Sequence, residues 1–179
     1  MQHERLRIPD KIFWGLNVLV LALTLVGLAL LYSSLPSALP AHFGFKGQVD
    51  AWTTDRLSIF LPSALQVVFT ALFVWLYHHP EYSSIPGSIM LRLLADRRRQ
   101  LITSILRHVL VITAVVVNLL LAYVTFGGMS VALGLSAGLN LAMLSFLFGL
   151  ILVIHLVYGV WLYRLTQAAV AEHVAEHHG

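Results

Sequence analysis

His42 and Asp50 are the residues of this chain best placed to do chemistry. They stand eight positions apart within LPSALPAHFGFKGQVDAW, Leu35 to Trp52, with Gly44 and Gly47 between them. Imidazole is the side chain nearest to titrating at neutral pH, and a carboxylate beside it can hold its tautomer or share a metal. Glycines permit the positive φ of a tight turn, so the two side chains can be brought face to face. Two ligands do not complete a metal site, and Asp55 is the only other acid nearby. No metal ligand set is assigned, and no cofactor is identified. The plainer expectation is that the pair ties the loop together through hydrogen bonds to backbone groups opened by the turns.

The stretch that carries them lies between long apolar runs. The 179-residue chain is 59% hydrophobic and 11% charged, with a mean hydropathy of +0.84. A soluble domain carries about a quarter charged residues. Four segments, 12–32, 57–77, 101–126 and 137–163, are long enough to cross a bilayer, which takes about 20 residues. The expected fold is an all-α, four-transmembrane-helix bundle filling 1–179 as one domain. A tail at 1–11, an ordered outer loop at 33–56, a basic connection at 78–100 and a second tail at 164–179 complete it. The first run exceeds the ~7–15 residues of a signal-peptide core and lacks a small-residue cleavage site, so it is read as a retained helix.

Charge placement sets the expected orientation. Arg5, Arg7 and Lys11 precede the first run, Arg92, Arg97, Arg98 and Arg99 fall in the second connection, Arg107 soon follows, and Arg164 ends the fourth run. Only Lys46 and Arg56 lie on the other side. Basic loops stay inside, which predicts a multi-pass plasma-membrane protein with both termini cytoplasmic and the His42–Asp50 loop outside. Within the basic connection, SIMLRLLADRRRQ sets Ile89, Met90, Leu93 and Leu94 at helical spacing among arginines. That pattern suits either a helix on an anionic inner leaflet or an ordinary positive-inside stop.

Composition also excludes. Without cysteine, disulfides, thiolate nucleophiles and cysteine metal sites are ruled out. The basic residues flank apolar runs instead of forming a face, which speaks against nucleic acid as a partner. No G-x-S-x-G, H-E-x-x-H or phosphate-binding loop occurs.

Inside the runs, Pro62, Gln66 and Thr70 share one helical face. Asn118 lies roughly 12 Å below the outer end of the third run at 1.5 Å per residue, and Asn140 near the outer end of the fourth. They are expected to form a polar cluster beneath the loop, where hydrogen bonds between helices contribute about 0.6 kcal/mol each. His155 is expected to be satisfied by a neighbouring helix. Because no acid lies within the runs as bounded above, a proton relay and ion-coupled transport are disfavoured. Gly134 and Gly138 make a G-x-x-x-G at the start of the fourth run, a spacing that admits close approach or a homo-oligomer. His173 and His177, four apart, have zinc-competent spacing on what reads as a solvated helical tail.

The loop itself has a pattern, L-P-x-x-L-P-x-H-F-x-x-x-G-x-x-D-x-W, met by Leu35, Pro36, Leu39, Pro40, His42, Phe43, Gly47, Asp50 and Trp52. It resembles a bacterial and archaeal membrane domain, domain of unknown function 1648, which also forms the N-terminal part of SdpI-like immunity proteins. The resemblance covers the first helix, the loop and the second helix, and more faintly His79–Tyr82. It implies a small polytopic plasma-membrane protein with at most a role in immunity or regulation. Asp55 and Arg56 stand where family members often carry lysine, and the second membrane motif of SdpI-like proteins is missing. The first expectation is a non-enzymatic membrane protein that binds a peptide, lipid or protein partner at its outer face. A membrane-embedded metal-dependent enzyme using His42 and Asp50, and an oligomerising scaffold, are the alternatives.

Overall fold

The computed structural model describes residues 8–83 and 96–178. In chain order they form α1 (Ile8–Leu31), β1 (Leu39–Phe43), β2 (Val49–Thr53), α2 (Leu61–His78), α3 (Asp96–Ala132) and α4 (Leu141–His178). Short 3-10 turns at Tyr32–Ser34, Arg56–Phe60 and Pro80–Tyr82 join them. All four helices are long and apolar enough to cross a bilayer.

Helix ends differ from the sequence expectation where capping chemistry decides them. α3 runs on to Ala132, past the expected 126, and closes on Gly134 at φ +72. There the Leu135 N–H donates to the Ser130 carbonyl at 2.9 Å and the Gly134 N–H to Val131 at 3.0 Å, a Schellman closure that takes up orphan carbonyls. α4 starts at Leu141, not at 137, because the Asn140 side chain accepts from the Ala142 N–H at 2.9 Å and the Met143 N–H at 3.3 Å. Gly134 and Gly138 thus lie between helices, and the G-x-x-x-G expected on the fourth helix is not a helical face. α1 begins at Ile8, so residues placed in a tail, Asp10 among them, belong to the helix.

α3 is the centre of the molecule, with α1 and α2 packed together on it and α4 laid against it separately. Of its most apolar stretch 56% is buried, against 6% for α4. The α3–α4 seam is aliphatic, built on Leu106, Val109, Val116, Leu120, Leu147, Ile154 and Leu162. Where α1 and α2 meet α3 the pattern is inverted. On α1, Asp10, Asn17 and Thr24 are buried while Val18, Leu19, Leu23 and Val26 face outward. Seven residues return a helix to almost the same face. α2 repeats the device with buried Ser63, half-buried Thr70 and buried Tyr77. In a bilayer such outward leucines and valines meet lipid as apolar as themselves, so association rests on packing and on the hydrogen bonds inside.

Candidate functional site

Polar groups gather in two places, a hairpin at one end of the bundle and a seam through α1, α2 and α3. The hairpin pairs β1 with β2 antiparallel, Leu39 opposite Thr53, Pro40 opposite Trp52, His42 opposite Ala51 and Phe43 opposite Val49, with irregularities on both sides of His42. The ordered loop expected at 33–56 thus contains two short strands. At the turn, the Gly47 N–H donates to the Gly44 carbonyl at 2.8 Å and the Gly44 N–H to Gln48 at 2.9 Å. Gly47 takes φ +75, a left-handed conformation that costs other residues about 1–2 kcal/mol.

The hairpin is fastened to the bundle at its tip and base. The Leu139 N–H donates to the Gly47 carbonyl at 2.7 Å, and Gln48 bridges Gly138. A Cβ on Gly47 would lie 2.2 Å from the Leu139 carbonyl oxygen, and one on Gly138 would lie 2.4 Å from that of Gly47. Only two glycines can meet this closely. At the base, Leu35 and Leu39 are buried with Leu28, Ile59 and Met129. Asp55 caps the following turn by accepting from the Leu57 N–H at 2.9 Å. Arg56 donates to the Tyr32 carbonyl at 2.7 Å and lies 4.8 Å over the Tyr32 ring. The two residues that depart from the lysine pattern therefore clamp the hairpin's exit.

On this frame the irregular register brings Asp50, which falls between paired Val49 and Ala51, to His42. Their Nδ1 and Oδ1 atoms are 2.6 Å apart. A carboxylate only accepts, so Nδ1–H donates and Nε2 of the neutral ring is left as an acceptor. Both residues are exposed, Phe45 stands fully exposed at the turn, Trp52 is exposed, and Pro40 and Phe43 are half-buried. Among the described residues no three histidines, cysteines or carboxylates gather into a metal site.

The seam has three levels. Nearest the hairpin, the Ser63 and Thr125 hydroxyls lie 3.4 Å apart. In the middle, Asn118 donates from Nδ2 to Asn17 Oδ1 at 2.6 Å and to Thr70 Oγ1 at 3.0 Å. Gln66 donates from Nε2 to the Asn118 carbonyl at 3.3 Å and to Thr24 Oγ1 at 3.4 Å, while its Oε1 has no donor. Gln66, Thr70 and Asn118 therefore do cluster as their spacing suggested. At the far level, Asp10 accepts from His108 Nδ1 through Oδ1 and from the Tyr77 hydroxyl through Oδ2, each at 2.8 Å. Arg107 donates from Nε to the Tyr77 carbonyl at 3.0 Å and sits 5.7 Å over that ring.

Asp10, Tyr77 and His108 escaped the sequence reading, and with them the expectation that no acid is buried among the helices falls. The signal was the seven-residue spacing of Asp10, Asn17 and Thr24, hidden because Asp10 was counted into a tail. Asn140 does not join the cluster, since its side chain is spent capping α4. His155 is exposed on α4 and bonds the Ile151 carbonyl of its own helix at 2.8 Å, not a neighbour. The backbone of Arg97 and Arg98 lies in the first turn of α3, Arg99 is exposed there, and Arg92 with most of the proposed amphipathic helix lies outside the described residues. His173 and His177 lie on the last turns of α4.

Residues 19–67 match the family model described as Domain of unknown function (DUF1648). That segment runs from within α1 through the hairpin into α2, so it holds His42, Gly47, Asp50, Thr24 and Gln66 but not Asp10, Tyr77 or His108. No curated protein and no solved structure matches the chain.

Proposed function

We propose that this multi-pass membrane protein is a non-enzymatic binding protein whose hairpin recognises a peptide, lipid or protein partner outside the plasma membrane, in an immunity or regulatory role. The observation that carries the reading is the contrast within the hairpin. Its backbone is held on the bundle by the Gly47–Leu139 bond and the Gly138 contact, while Phe45, Trp52 and the His42–Asp50 pair stand exposed. Pre-organised display of aromatic and charged groups lowers the entropy lost on binding. The outer position follows from the lysine and arginine bias. Absence of native cysteine makes it directly testable. Lys46→Cys is expected to react with a membrane-impermeant maleimide in intact cells, and a cysteine near the C-terminus only after lysis.

Recognition is tested by a photoreactive phenylalanine at position 45 in cells. Discrete peptide or protein adducts that disappear when Gly138→Val loosens the hairpin support the reading. A discrete lipid adduct lost with Gly138→Val supports it equally, bulk-lipid adducts that survive that change would make the hairpin a bilayer anchor, and no adduct would sink the reading. The 2.6 Å His42–Asp50 contact favours a second reading, a metal-dependent membrane enzyme, because a carboxylate on Nδ1 orients Nε2 as ligand or base. Zinc that raises the melting temperature of the wild type but not of His42→Ala would favour it. An oligomerising scaffold loses its best argument with the G-x-x-x-G.

A further inference from the structure

Asp10 is the one carboxylate, among side chains the structure describes, that is buried within a membrane-length helix. An ionisable group in such a place is costly and is by default a functional site. Both its oxygens are engaged by groups that can themselves carry or release a proton, His108 from α3 and Tyr77 from α2. The Asp10 side chain is 3% exposed and that of His108 is 31% exposed. The imidazole is thus the more exposed of the two. Charged and titratable groups near the cluster include Lys11, next to Asp10 in sequence on α1, His78 with its ring 5.7 Å from that of Tyr77 on α2, and Arg107 on α3. Farther along the same seam, Gln66 Oε1 is buried without a partner. Unpaired polar atoms of this kind are where buried water settles.

We propose that Asp10, His108 and Tyr77 form an exchangeable proton-binding site of the bundle, loaded through the His108 imidazole. A proton from water adds to Nε2 while Nδ1–H stays on the carboxylate, giving a carboxylate–imidazolium pair, and release returns it to water. No other bond changes. Because the three partners come from three helices, a bound proton alters the charge at the point where α1, α2 and α3 converge. The site is independent of the hairpin and of any partner bound there.

The test is 15N NMR of histidine-labelled protein in bilayers, the His108 ring being identified by the signals lost in His108→Asn. On acidification through the range where circular dichroism shows intact helices, the wild-type ring is expected to gain a proton. Asp10→Asn should lose that change over the same range, and Asp10→Glu should restore it. A His108 ring that keeps one state throughout, or protonates alike with Asp10→Asn, would overturn the proposal and leave the cluster a fixed cross-link. If Asp10→Asn does not fold, the wild-type ring alone still decides, since an invariant state refutes exchange.

Discussion

Among the described residues, two histidine–aspartate pairs have almost the same contact distance, His42–Asp50 at 2.6 Å and His108–Asp10 at 2.8 Å. Their settings differ in every other respect. The first joins two strands eight residues apart and leaves its side chains 69% and 52% exposed. The second joins α1 to α3 across 98 residues, with its side chains 31% and 3% exposed. Water around the hairpin screens the charges and competes for each hydrogen bond, so an exposed pair contributes about 0–1 kcal/mol. Between helices nothing replaces a lost partner. Contact distance alone says little about worth; the surroundings decide it.

The sharpest way to break the comparison is at Asp10. Asp10→Ala leaves the Tyr77 hydroxyl and the His108 Nδ1–H facing an emptied site, and breaking a buried pair costs on the order of 3 kcal/mol. A large fall in melting temperature in detergent is expected, with α1 loosened from α2 and α3. A shift no larger than that of the hairpin pair would remove the distinction between the two sites. Next in size is the glycine contact. Gly47→Ala adds a Cβ 2.2 Å from the Leu139 oxygen at a residue with φ +75, so strain of about 1–2 kcal/mol joins a clash that only undocking relieves. Limited proteolysis should then cut at the hairpin tip while the helices stay intact.

Asn118→Ala should rank third. It removes donors to Asn17 and Thr70, and at about 0.6 kcal/mol for each hydrogen bond in a membrane the loss is about 1 kcal/mol. Thermal unfolding in detergent reads it; a loss as large as that of Asp10→Ala would make the middle of the seam, not its end, the main tie among the helices.

What was legible follows from the same contrast. Four spans were plain because a run of 20 apolar residues has one physical meaning. The His42–Asp50 pair was legible because both residues lie in one short segment punctuated by glycine, and local turns decide whether they meet. Gln66, Thr70 and Asn118 stand out as polar residues in apolar helices, although which oxygen takes which donor is set by how the helices pack. The far cluster was not legible, since Asp10 beside Pro9 and Lys11 reads as a tail, and only packing shows that α1 begins before it. Gly138 misled for the opposite reason. Its spacing to Gly134 fits a helix motif, whereas the chain spends both glycines on ending α3 and admitting the hairpin.

The smallest effect should come from the exposed His42–Asp50 pair. His42→Ala and Asp50→Ala are each expected to shift stability by less than about 1 kcal/mol, with a coupling in the double variant that weakens further in salt. The docked backbone explains this tolerance: Gly47 and the buried Leu35 and Leu39 hold the hairpin whether or not its polar centre is intact. Thermal melts of the two single variants and the double variant, at low and high salt, measure the coupling. A drop approaching that of Asp10→Ala would make the pair a clasp of the hairpin and remove the reason to look for a ligand there. Melts close to wild type leave an orienting carboxylate and an open imidazole Nε2 on a surface that does not need them to stand, which is how a recognition site differs from architecture.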